Sequence, residues 1–204
     1  MIADVVTKGI GYLLLPIYLG LMPQEEFGEF SFITILISPL FLIVSFSLYV
    51  PFIRNFCAVN QKSKDTLVSS IFNAVFIWLI VIDILLLLLK PLIINHYIDL
   101  FHISNLSDEK YYLVILLINT GTILLYCYSL LIGRKSTKEI VVFMLMKFIV
   151  ISGSSLAFIY FELLGDETVL NRLFGIFSAE LIIALIYIFV YVKPYLLLKI
   201  DLLT

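Results

Sequence analysis

Four ionisable side chains and one amide interrupt the long apolar runs of this chain: Lys8, Asp83, Lys147, Glu180 and Asn119. A charge held at mid-depth in hydrocarbon costs about 2.5–3.5 kcal/mol even on the gentler insertion scale, so each such group is a functional candidate by default. For Asp83 the plainer reading is a side chain that snorkels to the nearer interface. Lys8 has Asp4 one turn before it, and an i,i+4 ion pair would cover its cost locally. Lys147 shares a helical face with Ser154, and Glu180 shares one with Ala184 and Tyr187. These faces are small or polar, which suits a bundle interior or a wet cavity better than lipid, and makes the two residues the leading candidates. At 1.5 Å per residue, Lys147 lies about 10 Å and Glu180 about 18 Å from the same membrane face. A lysine can nearly span that offset, so a structural ion pair stays open as the alternative. Asn119 lies mid-helix on one face with Tyr112, Thr122 and Tyr126, a polar stripe that could bind a ligand and by preference is adhesion between helices.

Chemistry of other kinds has little to build on. No Gly-rich phosphate loop, nucleophile elbow or pair of catalytic carboxylates occurs in a loop, so no catalytic residue is expected and the chain does not read as an enzyme. His96 and His102 fall in the longest loop, about 90–110, and Asp99 alone does not complete a metal site with them. That loop reads as interfacial. Cys57 and Cys127 are too few and too far apart for a disulfide framework, and read as reduced, inert thiols.

The elements that must position these residues are transmembrane helices. At 62% hydrophobic and 14% charged residues, the composition excludes an ordinary soluble domain. Six apolar segments, roughly 2–22, 30–53, 67–89, 111–132, 140–161 and 173–192, each match the ~20 residues that cross a ~30 Å hydrocarbon core. The expected fold is therefore an all-α integral membrane protein, with residues 1–204 forming a single membrane unit of six helices. Pro16 and Pro39 should kink the first two helices. Ser152-Gly153-Ser154-Ser155 reads as a close-packing patch of small residues. The loop bases divide unevenly: Arg54, Lys62, Lys64, Arg134, Lys135, Lys138, Lys193 and Lys199 on one side, but only Lys90, Lys110 and Arg172 on the other, beside nine acids. The positive-inside rule then puts both termini in the cytoplasm. Met1-Ile2-Ala3-Asp4 has no basic region and no cleavage site follows, so no cleavable signal peptide is expected.

The segment Lys8–Arg54 reads as the stretch around which the chain is organised. It has a lysine early and a proline late in its first helix. Then come Pro23-Gln24-Glu25-Glu26-Phe27-Gly28, the pattern P-x-E-x-F-G, and an apolar helix closing on Arg54. This opening resembles that of the bacterial polysaccharide flippases in the multidrug/oligosaccharidyl-lipid/polysaccharide exporter superfamily. The short basic connection Gly133-Arg134-Lys135-Ser136-Thr137-Lys138 and the turn Asn171-Arg172-Leu173-Phe174-Gly175 are similar to the same pattern. The chain departs from it at Phe46-Ser47-Leu48, where the family often has Leu-Gly-Leu.

The resemblance implies one lobe of a two-lobe transporter, the N-terminal half of a longer protein or one copy of a homodimer, in the bacterial inner membrane. Its substrate would be an undecaprenyl-diphosphate-linked oligosaccharide, a precursor of polysaccharide such as O-antigen or capsule, flipped from the cytoplasmic to the periplasmic leaflet by alternating access. Lys8 and Lys147 would then suit the diphosphate, Asn119 the sugars, and Glu180, with Asp83 as a weaker candidate, a coupling proton or sodium ion. No other cofactor and no metal is implied. The implied partners are membrane lipid, the lipid-linked glycan, a C-terminal lobe or second copy, and glycan-assembly machinery, with no nucleic acid. The alternatives are a cation-coupled exporter of drugs or small molecules in the same superfamily, and a membrane accessory protein without transport activity.

Overall fold

In hydrocarbon every backbone N–H and C=O must be paired within the chain, which leaves a helix as the solution for each apolar run. The computed structural model describes the backbone of residues 2–45, 48–101 and 107–197, and the side chains of residues 12–35, 37–45, 48–60, 63–91 and 107–195. The described chain is all-helical. Its elements are α1 (Ile2–Leu21), α2 (Gln24–Val44), α3 (Tyr49–Ala58), α4 (Gln61–Phe101), α5 (Asp108–Gly133), α6 (Thr137–Tyr160), α7 (Thr168–Tyr187) and α8 (Lys193–Leu197), the last two joined by a π-helical stretch, Ile188–Val192. Among the described residues five stretches are long and apolar enough to cross a membrane: Gln24–Val44, Ser63–Pro91, Asp108–Gly133, Thr137–Tyr160 and Thr168–Tyr195. A shorter apolar stretch, Tyr12–Leu21, lies in α1. Large apolar side chains such as Ile77, Leu88, Ile149, Ile182 and Phe189 stand exposed on several helices. That surface would be an aggregation hazard in water and is ordinary contact area in lipid, so this is a multi-pass membrane protein.

Where the helices end differs from the hydropathy reading in three places. The segment 30–53 is not one helix. The chain stays helical through Pro39 and is interrupted after Val44, before α3 begins at Tyr49. Carbonyls freed at a break inside a membrane need donors, and the tertiary structure supplies two. Trp78 Nε1 of α4 donates to Val44 O at 2.9 Å, and the Tyr126 hydroxyl of α5 donates to Ser45 O at 3.0 Å. Next, the loop expected at 90–110 is helical as far as Phe101, so α4 has 41 residues and is about 60 Å long, roughly twice the hydrocarbon core. Lastly, the sixth segment begins at Thr168 and widens into its π-helical stretch just before Lys193-Pro194. Pro194 has no N–H to give and its ring crowds the carbonyl four residues back, and a wider turn relieves that contact.

The organising element is α5 rather than Lys8–Arg54. In its spanning window 61% of residues are buried, against 11% for α6, and it packs on α2, α3, α4, α6 and α7. Ser107 caps it, accepting from Lys110 N at 3.4 Å, and Asp108 and Glu109 in the first turn face the positive end of the helix dipole. One core cluster gathers Phe52, Phe56, Phe72, Tyr126 and Leu130 towards the end where α3 and α4 meet. A second gathers Tyr18, Met22, Phe30, Leu113 and Leu173 towards the other.

α6 and α7 approach closely. A Cβ on Gly175 would lie 2.8 Å from Ser155 Cα, and the Ser154 and Ser178 hydroxyls are 3.2 Å apart. The close-packing reading therefore holds for Ser154 and Ser155. A Cβ on Gly153 would meet nothing within 4 Å, and Ser152 lines a cleft instead.

Candidate functional site

The ion pair that the sequence left open forms in the structure. Lys147 Nζ of α6 lies 3.3 Å from Glu180 Oε1 of α7, and the Thr120 hydroxyl of α5 donates to Glu180 Oε2 at 3.0 Å. Three helices thus meet on one carboxylate. Thr120 also lies 3.0 Å from Leu116 O, its own backbone one turn back, and its single proton serves one acceptor at a time. The two partners are unequally covered: the Glu180 side chain is 11% exposed and the Lys147 side chain 37%.

Lys147 is exposed because it lines a cleft of about 480 Å³. Phe41 of α2 forms one wall, Gly121, Leu124 and Tyr128 of α5 the floor, and Phe143, Met144, Phe148 and Ser152 of α6 the other wall, with Lys147 among them. A Cβ on Gly121 would lie 3.2 Å from the Phe41 ring and 3.8 Å from Glu180 Oε2. The glycine therefore lets the aromatic wall close down beside the carboxylate. An ammonium has three donors and Glu180 takes one, which leaves Lys147 able to bond an anionic group in a mostly apolar cleft.

The other sequence candidates go elsewhere. Asn119 Nδ2 donates to both carboxylate oxygens of Asp83, at 3.0 and 2.9 Å, which joins α5 to α4. The adhesion reading of Asn119 stands, and neither residue lines the cleft. Asp83 is held by a neighbouring helix instead of snorkelling, because an amide donor at its own depth spares it the reach to the interface. The rest of the expected stripe divides among separate contacts. Tyr112 accepts from Lys90 at 2.9 Å, Thr122 bonds back to Ile118 O, and Tyr126 serves the α2 break. Lys8 lies in α1 with its side chain outside the described residues, as does that of Asp4. His96 and Asp99 fall within α4 with their side chains outside that set, and His102 lies outside the described residues. Among the described residues no group of three His, Cys, Asp or Glu is placed to hold a metal ion. Cys57 is exposed and Cys127 buried.

A second polar cluster escaped the sequence reading. Lys110, counted there as a loop base, is 1% exposed. Its Nζ lies 2.6 Å from Glu29 Oε1 at the start of α2 and also pairs with Glu167 before α7. Glu26 accepts from the backbone and hydroxyl of Thr168. Nearby, the Arg172 guanidinium sits over the rings of Tyr18 and Phe30, at 3.8 and 3.7 Å from their centroids, and donates to Met22 Sδ at 3.3 Å. Asn171 bonds Leu164 N, Gly165 O and Glu167 O, tying down the turn that precedes its helix. The only sequence signal for this cluster was the density of acids in the turn Pro23–Glu29 facing a base at the head of the next hairpin. No protein-family model, curated protein or solved structure matches this chain.

Proposed function

We propose that this chain forms one lobe of a flippase that carries an undecaprenyl-diphosphate-linked oligosaccharide across the bacterial inner membrane by alternating access. A six-helix lobe, with α1 as its first span, and a polysaccharide-export role are parts of this reading. The observation that carries it is the partly exposed Lys147 in the wall of an apolar cleft, set against a buried carboxylate. An isoprenoid chain suits apolar walls, a diphosphate suits the ammonium, and Glu180 suits a coupling proton or sodium ion that competes with Lys147 for the same oxygens. An open cleft of this kind needs a facing wall, supplied by a second lobe or a second copy of the chain. The end bearing Arg54, Lys64, Arg134 and Lys135 would face the cytoplasm.

One feature of the cleft favours a second reading, a cation-coupled exporter of small molecules. Phe41, Tyr128, Phe143 and Phe148 give it four rings, and its one base is already paired. Complementation separates the two. In a strain lacking its own flippase, restored envelope polysaccharide should accompany a dimer or co-expression of a second lobe, with oligomeric state measured in detergent. Full rescue by a monomer would refute the need for a second wall. Reduced accumulation of a lipophilic cation, without polysaccharide rescue, would select the exporter. A reporter fused after Thr204 reads the orientation in the same cells, and activity confined to the periplasm would overturn it.

A further inference from the structure

The end of the bundle opposite the Lys110 cluster holds a second cavity, of about 490 Å³, between the start of α4, the α5–α6 turn and α8. Lys64, Arg134 and Lys135 line it together with Ser136 and Tyr195, and among the described residues no carboxylate lines it. Among the described residues none of the three bases is paired with an acid. Lys64 Nζ instead lies 5.1 Å from the centroid of Phe56, and the Arg134 guanidinium 5.3 Å from that of Tyr191. Ring faces hold a cation in place without neutralising it or using up its N–H donors. Lys135 adds a second kind of observation. Ser136 N bonds Leu131 O at 3.3 Å and Lys135 N bonds Ile132 O at 2.9 Å, the double closure of a helix C-terminus whose turning residue is ordinarily glycine. Here that residue is a lysine at φ 56°, a conformation disfavoured for any side chain with a Cβ. The chain keeps a base in a strained position at the rim of a cavity already bearing two others.

The geometry points to a phosphate-binding site in this cavity, with Arg134 and Lys135 as its principal ligands and Lys64 closing it. Its ligand is a terminal phosphate group, either the headgroup of an anionic phospholipid or a soluble phosphate. The site is separate from the Lys147 cleft and does not depend on what that cleft carries.

Cys57 provides a reporter, since it is exposed and lines the cavity, whereas Cys127 is buried. The maleimide labelling rate of Cys57 is measured on the full chain in detergent with dihexanoyl phosphatidic acid, dihexanoyl phosphatidylcholine or inorganic phosphate. Phosphatidic acid is expected to slow labelling in a saturable way, with apparent affinity falling about tenfold in Arg134→Gln and again in Lys135→Gly. Glycine fits the left-handed position, so Lys135→Gly should melt no earlier than the native chain, and its lost affinity is then not misfolding. Protection by phosphatidic acid alone assigns a lipid headgroup, and equal protection by inorganic phosphate assigns a soluble ligand. Either supports the site. Protection by phosphatidylcholine equal to that by phosphatidic acid, protection by neither phosphate probe, or unchanged affinity in both variants would overturn it.

Discussion

Replacing Lys110 by methionine is expected to lower the melting temperature of the detergent-solubilised protein by roughly 5–10 °C, the equivalent of about 2–4 kcal/mol. Lys110 is 1% exposed and joins Glu29 near the start of α2 and Glu167 in the α6–α7 turn to the head of α5, so one ammonium ties three parts of the chain together at one end of the bundle. Removing it leaves Glu29, whose side chain is only 18% exposed, without its cation. The 43% exposure of the Glu167 side chain keeps the effect below that of a wholly buried pair. Converting all three together, Glu29→Gln, Lys110→Met and Glu167→Gln, should recover most of the loss, because the uncompensated charge is what costs. A single variant that melts with the native protein would show that the cluster holds nothing.

Exchanging Lys147 and Glu180 is expected to restore folding without restoring transport. The single variants should differ in stability. Lys147→Ala leaves a carboxylate that is 11% exposed with Thr120 as its remaining donor, at a cost of about 2–3 kcal/mol. Glu180→Ala leaves a lysine that already reaches the cleft, at a cost nearer 1 kcal/mol. Both should reduce the proposed glycan export at least tenfold, beyond what lower protein levels explain. In the double variant Lys147→Glu/Glu180→Lys the pair can re-form and thermal stability should return. The cleft wall would then present a carboxylate to an anionic substrate, and export should stay low. Restored export in the exchanged protein would mean that the pair is only structural.

Much of this architecture is readable from apolar run lengths, because in lipid the requirement to pair every backbone group leaves one kind of local structure. The end of α2 at Val44 is not. It depends on Trp78 and Tyr126, 34 and 81 residues away in sequence from the carbonyls they serve, and hydropathy treats both as interfacial aromatics. The extension of α4 past Lys90-Pro91 was hidden for a related reason. A base followed by proline reads as a membrane exit, whereas Lys90 lies 2.8 Å from Asp108 and the helix runs on. Of the site, Lys147 and Glu180 were legible because an intramembrane charge is costly wherever it lies. Thr120 was not, since a hydroxyl in a helix can bond its own backbone and so announces no partner. The central place of α5 had one available sign: it carries Asn119, Thr120, Thr122, Tyr126 and Ser129 in a single span, more polar groups than lipid contact would favour.

The central claim is that the Lys147 cleft receives a lipid-linked diphosphate, and photo-crosslinking from the cleft wall tests it most directly. A benzophenone side chain placed at Met144, one turn from Lys147 on α6, would be irradiated in the purified full chain with an undecaprenyl-diphosphate-linked oligosaccharide. A saturable adduct is expected, reduced about tenfold by Lys147→Ala and not displaced by a lipophilic cation. An adduct that ignores the loss of Lys147, or that the cation displaces, would contradict it.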